Sequence, residues 1–343
     1  MVFCCRVCAG TQNSENCEAR EMMYGLRTQF HYMQCGECGS LSLMDPPVDY
    51  TKYYHSEYYS FVEPTQANGF RNGIVAYFRA RRDRSYFSED GWLGQILARR
   101  YQNAALRATS KLKIDRQSRI LDVGCGSGPL LLRLHDLGFE RLSGVDPFIP
   151  RDIRYANGVQ VRRCFLEELK GERWDAVMFH HSLEHVPHPA ATLQIVRELL
   201  PTGGQCLVRL PVVAWAWEHY RASWVGLDAP RHFWLPTDKG MRILAESVGL
   251  RVIRAEYDST GLQFWGSELY SRDCAYPEVG PRESKLGEFF TKRQLAEFRE
   301  KAERLNQEGR GDAAAFFMEK LPLRCATESS FADLRGPSHR PNL

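Results

Sequence analysis

Two short stretches of this chain carry side chains that could move protons. One is a histidine-rich run at residues 180–187, and the other is the segment 228–233. A histidine titrates near neutral pH, so its ring can remove a proton from a hydroxyl group while the oxygen attacks an electrophile. We therefore predict four catalytic residues, His181, Glu184, His185 and His232. Among them His232 is the preferred base, and His185 assists or orients it.

The first stretch must also be weighed as a metal site. His181 to His185 match the H-x-x-E-H pattern of one class of zinc peptidase. That class needs the motif inside a long helix, whereas Pro187 and Pro189 would interrupt a helix within a few residues. The peptidase interpretation is therefore disfavoured, while a divalent-ion site that uses Glu184 and His185 stays open. A structural role for one of these histidines at a helix start is a further alternative.

The stretch from residue 119 to 146 predicts the element that positions such groups. Its first five residues are mostly apolar and β-branched, as in a central strand of a parallel sheet. A turn with three alternating glycines follows, and glycine permits positive φ and a close approach of a ligand to the backbone. A helix beginning at Pro129 then leads to a second strand, which ends where an acid commonly binds ribose hydroxyls. The unit predicts an adenosine-like cofactor, bound by Asp122, Gly124, Cys125, Gly126, Gly128 and Asp146.

The spacing of the glycines discriminates between adenosine cofactors. A dinucleotide fingerprint reads G-x-G-x-x-G and aims a helix N-terminus at a pyrophosphate, whereas this chain has G-x-G-x-G. Asp122 lies just before the turn, where it would repel a phosphate but could hold an ammonium group. The pattern resembles motif I of the class I S-adenosylmethionine (SAM)-dependent methyltransferases, which implies SAM as the cofactor. NAD(P) binding, or a doubly wound domain without a ligand, is the alternative.

Strand and helix patterns continue to alternate after this unit. They predict an α/β fold with a doubly wound, Rossmann-like sheet of seven strands and right-handed crossovers. The predicted later strands are 159–163, 174–179, 204–210, 250–257 and 262–270. Phe165 and Leu166 follow one strand, where a side chain would flank an adenine, and His180 follows the next. We predict that these three residues also contact the cofactor.

Four cysteines near the N-terminus form two C-x-x-C pairs, namely Cys5, Cys8, Cys35 and Cys38. Such turns point two thiolates at one ion, and two of them complete a tetrahedral zinc site. We therefore predict a small zinc-ribbon module with a structural zinc ion and, at about residues 26–33, a hairpin in the gap. Reduced surface thiols are the alternative. Cys4 and Cys17 are interpreted as spectators or as substitutes for Cys5.

Two aromatic segments could cover a ligand. Six aromatic residues lie between residues 50 and 61, and one or two tyrosines there, Tyr59 in particular, are predicted to fold over the cofactor; packing is the alternative. The second segment, residues 212–235, is long for a loop and contains four tryptophans. A loop of that length is often a lid, and its rings could stack on the apolar face of a sugar or ring.

Several of these motifs together resemble one group of enzymes. The cysteine-rich module, the tyrosine segment, the glycine turn, L-E-H at 183–185 and P-R-H at 230–232 are similar to bacterial SAM-dependent methyltransferases with an N-terminal zinc-binding domain. The group includes sugar C-methyltransferases and methyltransferases of polysaccharide biosynthesis. In the sugar enzymes two histidines act on the substrate, and by motif they correspond to His185 and His232. Those enzymes have I-G-H and E-H where this chain has L-E-H and R-H, so we favour O-methylation of a hydroxyl over C-methylation.

The segment boundaries follow from these motifs. We predict a zinc-binding module at 1–48, an aromatic and basic connector or lid at 49–116, the SAM-binding domain at 117–275, and a helical extension with a loose tail at 276–343. The basic part of the connector predicts a solvated helical face, or else a docking surface for an anionic substrate.

No apolar run reaches the length of a membrane span or signal peptide, which predicts a cytoplasmic protein without a membrane span.

The net charge and one missing motif limit the classes of substrate that this chain is expected to bind. The net charge of +3 is low for an enzyme that tracks phosphates, which favours a small-molecule or glycan substrate over nucleic acid. The segment after residue 180 also lacks the (N/D)-P-P-(Y/F) loop of enzymes that methylate bases. We therefore predict a methyltransferase acting on a hydroxyl of a sugar, nucleotide sugar or similar small molecule. A zinc-ribbon RNA methyltransferase and a catalytically inactive SAM-binding protein are the alternatives.

Overall fold

The protein is built around two sheets, as seen in a computed structural model that describes residues 3–54, 70–87, 91–280 and 283–322. The predicted lid residue Tyr59 and the tail from residue 329 lie outside these ranges. The strands are β1 (Asn13–Arg20), β2 (Gln29–Cys35), β3 (Leu41–Leu43), β4 (Ile120–Val123), β5 (Leu142–Val145), β6 (Ile153–Arg154), β7 (Gln160–Arg162), β8 (Ala176–His180), β9 (Gln205–Pro211), β10 (Trp234–Leu235), β11 (Leu250–Tyr257) and β12 (Ala313–Lys320).

Helices flank the larger sheet and connect its strands. They are α1 (Phe70–Ser85), α2 (Trp92–Arg100), α3 (Ala104–Thr109), α4 (Pro129–Asp136), α5 (Pro189–Leu199), α6 (Trp215–Tyr220), α7 (Asp238–Ser247), α8 (Leu262–Ser271), α9 (Leu286–Phe289) and α10 (Lys292–Gln307). Pro129 occupies the first turn of α4, where its missing N–H costs nothing, and Leu131 and Leu134 bury one face of that helix. None of the described helices is long and apolar enough to cross a membrane.

The larger sheet has eight strands in the order β11-β12-β9-β8-β4-β5-β7-β6. β4 lies parallel to β5 and β8 at its centre, while β12 runs antiparallel to both of its neighbours. The α/β prediction is confirmed, but the prediction of seven strands is wrong, because two-residue β6 adds an antiparallel edge beside β7. Apolar β4, buried on both faces, places the glycine turn at the sheet's carboxyl edge.

One predicted closing strand is also wrong. Residues 262–270 form helix α8, and the strand between β9 and β11 is instead β12. Helix α8 buries most of its residues in succession, so its sequence lacks the one-sided pattern that distinguishes a helix from a buried strand. The sequence of β12 is AAAFFMEK, an apolar run that suits a strand with neighbours on both sides. The region after residue 275 therefore contributes to the central sheet as well as a long helix.

The smaller sheet has the order β1-β2-β3-β10. β1 and β2 form an antiparallel hairpin in which Cys17 pairs with Tyr32, so the hairpin is wider than the predicted residues 26–33. β10 pairs with β3, although almost two hundred residues separate them in sequence. The N-terminal module and the segment just after His232 therefore share one sheet.

Three of the tryptophans predicted to stack on a ligand lie in the core instead. Trp217, Trp224 and Trp234 are each at most 1% exposed. Residues 212–235 form a short helix, two helical turns and β10. Trp217 and Trp224 pack with residues of the smaller sheet and α8, while Trp234 packs in the core of the larger sheet. The length and aromatic content of this segment reflect packing between the two sheets more than an open lid.

Candidate functional site

The candidate site lies at the carboxyl edge of the larger sheet, where β4, β5, β8 and β9 end side by side. The glycine turn follows β4, and the histidine-rich run follows β8. Val123 pairs with Phe179 and His180 pairs with Arg209, so these segments are neighbours by strand register. The sheet therefore brings the predicted cofactor-binding and catalytic stretches to one edge.

The glycine turn has the backbone that its sequence predicts. Gly124, Gly126 and Gly128 all have positive φ, at +70°, +56° and +82°. A Cβ on Gly124 would lie 2.5 Å from the Cβ of Ser182, whose hydroxyl donates a hydrogen bond of 2.6 Å to the Val123 carbonyl. A larger residue would therefore separate the turn from the segment that follows β8.

Asp146 closes the turn from the neighbouring strand. Its carboxylate accepts hydrogen bonds of 2.9 Å from the backbone N–H of Gly126 and of Phe148. A carboxylate has about four acceptor positions, and the backbone of Ile149 also contacts this one, which leaves acceptor capacity for a ribose hydroxyl. Burial raises the pKa of Asp146, and burial followed by the charge of Asp146 raises the pKa of Asp122 to about 8.

The surroundings of the turn fit an adenosyl group. The rings of Phe148 and Phe165 are 72% and 58% exposed at the ends of neighbouring strand segments, available to flank a flat base. Two other residues predicted to contact the cofactor have less exposed side chains than these rings. Leu166 packs in the core, and the side chain of Cys125 is buried under the turn close to Gly144. Phe148 was missed by sequence reasoning, although it lies only two residues beyond the acid.

His180 lies buried at the end of β8. Neither of its ring nitrogens has a hydrogen-bond partner among the residues that the structure describes. Burial, and then the charge of Arg209, lowers the pKa of His180 to about 3, so the ring is neutral at physiological pH. A neutral ring at this position can contact a cofactor but is a poor acceptor of a catalytic proton.

Two of the three predicted catalytic histidines, His185 and His232, meet although their positions differ by 47 in the sequence. Their ring centroids are 4.9 Å apart. Nδ1 of His185 lies 2.9 Å from the Arg231 carbonyl, and Nδ1 of His232 lies 2.9 Å from the Gly226 carbonyl. A carbonyl oxygen only accepts hydrogen bonds, so each ring donates from Nδ1 and keeps a lone pair on Nε2.

Glu184 lies between these histidines with no solvent exposure. Its Oε1 is 3.3 Å from Nδ1 of His181 and 4.0 Å from Nε2 of His232. Burial opposes ionisation of Glu184, but the contact with His181 and the other histidines outweighs it and lowers the pKa to about 2. The carboxylate is therefore ionised and faces the rings.

Four charged residues to which the sequence analysis assigned no catalytic or cofactor-binding role complete the site. Asp228 places Oδ2 3.7 Å from Nε2 of His232 and pairs with Arg231. Arg209 contacts both the ring of His181 and the carboxylate of Asp258. Asp228 lies four residues before His232 in the segment 228–233, whereas Arg209 lies on β9 and Asp258 follows β11, with no sequence spacing that links them to the histidines.

The four cysteines of the two C-x-x-C pairs come together in the smaller sheet. All four sulfur atoms lie within 4.8 Å of one another, with Cys5 and Cys38 at 3.6 Å and Cys8 and Cys35 also at 3.6 Å. Tetrahedral zinc with bonds of about 2.3 Å places its sulfur ligands about 3.8 Å apart, so the group fits such an ion. Cys4 is exposed and Cys17 is buried in the hairpin, and neither belongs to the group.

The fold and this site define a SAM-dependent methyltransferase, and comparison with known proteins agrees. A family model described as a methyltransferase domain matches residues 96–255. The ubiquinone biosynthesis O-methyltransferase of Cereibacter sphaeroides strain KD131 is 33% identical over 179 residues, which cover 46% of this chain and 70% of that protein. The ubiquinone biosynthesis O-methyltransferase of Xylella fastidiosa strain M23 is 36% identical over 102 residues, which cover 26% of this chain and 41% of that protein. The chain belongs to the family of SAM-dependent methyltransferases, and SAM is its cofactor.

Solved structures show weaker similarity. The cyclopropane synthase MmaA2 from Mycobacterium tuberculosis gives a TM-score of 0.40 with 16% identity, over 62% of this chain and 81% of that one. A SAM-dependent methyltransferase from Archaeoglobus fulgidus gives a TM-score of 0.38 with 16% identity, over 74% and 100% of the two chains.

Proposed function

We propose that this enzyme transfers a methyl group from SAM to a hydroxyl of a sugar, a nucleotide sugar or a similar small molecule, with His232 as the general base. The observation that carries the proposal is the orientation of the His232 ring. Its Nδ1 donates to the Gly226 carbonyl, which leaves Nε2 as the proton acceptor, between the carboxylates of Glu184 and Asp228.

The roles of the residues follow from this arrangement. SAM, when bound, supplies an electrophilic methyl group on a sulfonium. Nε2 of His232 would take the hydroxyl proton as the oxygen forms its bond to the methyl carbon and the bond from that carbon to sulfur breaks, with S-adenosylhomocysteine as the leaving group. The ring then carries a positive charge, which Glu184 and Asp228 stabilise from 4.0 Å and 3.7 Å. His185, beside it, orients the acceptor or assists through its own Nε2.

The names of the relatives support a hydroxyl acceptor. Both relatives described above are named O-methyltransferases, and the chain covers 70% of one and 41% of the other. Their names refer to ubiquinone biosynthesis, so a hydroxyl on an aromatic ring is the second candidate acceptor. A neutral small molecule or glycan remains favoured over nucleic acid because the chain's net charge is only +3.

A divalent ion is the competing use of the same residues. One ligand atom from each of Glu184, His185 and His232 lies within 4.8 Å of the others. Each histidine already donates from Nδ1 to a backbone carbonyl, which is how metal-binding histidines are commonly oriented. An ion there would occupy the Nε2 lone pair of His232, so this residue could not also accept the proton.

We also propose that the four-cysteine group binds one structural zinc ion. Elemental analysis then separates the two metal hypotheses, because the base mechanism requires only one equivalent of zinc per chain. A second equivalent of any divalent metal that disappears in His232→Ala, but not in Cys35→Ser, would favour the ion over the base.

The acceptor can be identified with isotopically labelled SAM. We would incubate the purified protein with a panel of nucleotide sugars, glycans, dihydroxylated aromatic rings and RNA, and detect the labelled methyl group by mass spectrometry. We expect methyl transfer to a hydroxyl in wild type and in His188→Ala, which removes an exposed histidine. We expect methyl transfer to be about 10²- to 10⁴-fold slower in His232→Ala. Label found only in RNA, or equal turnover in His232→Ala, would contradict the proposal.

A further inference from the structure

We propose that the four-cysteine module is the element that holds the catalytic segment, residues 226–235, in place, and that Tyr32 is a positioning residue for His232. The module comprises strands β1 to β3 and the two C-x-x-C turns. The inference rests on the proposed role of His232 as the base. The physical link between module and segment can be measured separately from that role.

The first link is a hydrogen bond to the catalytic residue itself. The hydroxyl of Tyr32 donates to the backbone carbonyl of His232 at 2.7 Å. Tyr32 has no solvent exposure and lies on β2, three residues before Cys35. Because its ring is packed on all sides, the hydroxyl offers a fixed donor to the carbonyl.

The second link is the shared sheet. The backbone N–H of Leu43 donates to the Phe233 carbonyl at 2.9 Å, and Trp234 pairs with Ser42. Together with the contact from Tyr32, three successive residues of the segment are bonded to the module. A two-residue strand such as β10 has too little pairing to hold its own register, so its position depends on β3.

The third link joins a cysteine turn to Thr237, two residues beyond the end of the segment. The hydroxyl of Thr237 donates to the carbonyl of Cys38 at 2.6 Å and also caps helix α7 by accepting from Gly240 N–H. Arg6, between Cys5 and Cys8, donates to the carbonyl of Pro187, the last residue of the histidine-rich run, at 2.9 Å. Both cysteine turns therefore contact the segments that carry His185 and His232.

The cofactor site has its own support. The backbone N–H of Gly124 donates to the Val145 carbonyl at 2.8 Å, and that of Gly126 donates to Asp146 at 2.9 Å. These bonds join strands of the larger sheet. Loosening the module should therefore displace the base while leaving the binding of SAM or its demethylated product, S-adenosylhomocysteine, intact.

The test is Tyr32→Phe, which removes one hydroxyl and keeps the ring. The matched control is Tyr276→Phe, whose hydroxyl contacts Glu283 on the surface at 3.0 Å. For each variant we would measure kcat and KM with an acceptor identified above and S-adenosylhomocysteine affinity by calorimetry. Hydrogen exchange would be followed in peptides covering 226–236 and 119–130.

We expect kcat of Tyr32→Phe to fall about tenfold because the base loses its alignment, with KM and the dissociation constant within about twofold of wild type. Exchange should quicken in 226–236 and stay unchanged in 119–130. Protein stripped of zinc by a chelator should show the same pattern with larger changes. Tyr276→Phe should match wild type in every measurement.

Unchanged kcat and unchanged exchange in 226–236, both in Tyr32→Phe and after zinc removal, would overturn the inference. So would equal changes in 226–236 and 119–130, because the module would then support the whole fold. If wild type methylates no acceptor in the panel, the proposed function fails. The exchange and calorimetry arms would still decide whether the module holds the segment.

Discussion

Nε2 of His232 lies 4.0 Å from Oε1 of Glu184, a carboxylate with no solvent exposure. The two residues come from different loops, one after β8 and one before β10. A buried carboxylate close to a neutral imidazole contributes most when the ring gains a proton. The pair therefore suits a step in which charge develops on His232, as it does when the ring removes a hydroxyl proton.

His232→Ala tests this pair directly. We expect turnover to fall about 10²- to 10⁴-fold, the usual contribution of a general base. S-adenosylhomocysteine affinity should stay within about twofold of wild type, because the glycine turn is unchanged. Steady-state kinetics and calorimetry check both expectations, with His188→Ala as the control. Retained turnover in His232→Ala would remove this residue from the mechanism.

Glu184→Gln keeps the size of the side chain and removes its charge. The pKa of Glu184 is about 2 in the folded protein against an ordinary value of 4.5, so its contribution to stability is present above pH 4.5 and is lost as pH falls toward 2. We expect acid unfolding of the variant to lose that part of the pH dependence. We also expect kcat to fall by about tenfold or more, since protonated His232 loses a counter-charge. If the variant unfolds in acid as wild type does and has the same kcat, Glu184 neither stabilises the fold through its charge nor supports protonated His232.

Asp122 predicts pH dependence of the opposite sign. Burial raises its pKa from 3.8 to about 8, so folding takes up a proton between these values. The stability that this group contributes is therefore fully present below pH 3.8 and is lost as pH rises to about 8. Asp122→Asn should flatten this part of the curve, measured by denaturant unfolding of the cofactor-free protein at pH 5, 6.5 and 8. Asp136→Asn, an exposed position on α4, is the control and should follow wild type.

Asp146→Ala tests the ribose contact. We expect S-adenosylhomocysteine affinity to fall about 10- to 100-fold, because the variant loses charge-assisted hydrogen bonds to the ligand and the acceptor for the Gly126 N–H. Calorimetry measures the affinity, and circular dichroism checks that the fold is retained. Asp136→Ala should bind like wild type. Equal affinity in Asp146→Ala would place the ribose elsewhere.

The proposed zinc site at the four-cysteine group predicts a simple stoichiometry. Wild type and Cys4→Ser should each contain about one equivalent of zinc, since Cys4 lies outside the group. Cys35→Ser and Cys38→Ser should lose it and become less stable to heat. Elemental analysis and thermal unfolding measure both effects. Zinc content that is unchanged in Cys35→Ser and Cys38→Ser would show that the four thiols are not its ligands.

Sequence reasoning succeeded best where the signal is contained in a few neighbouring residues. The turn from Gly124 to Gly128 has the positive φ angles expected of it, and the helix after Pro129 begins where predicted. Two buried runs were harder to assign. Helix α8 is apolar on several sides and resembles a strand, whereas β12 was hidden in a charged region because only its first six residues are apolar.

The sequence by itself determined the methyltransferase family, the backbone of the glycine turn and which four cysteines form one group. Those features depend on backbone preferences and ligand spacing that a short segment encodes. Tertiary structure alone decided that β10 pairs with β3, so that Tyr32 contacts His232, and that Glu184 faces the same ring. These relationships join segments up to two hundred residues apart, and they form only when packing of the two sheets fixes the distance between them.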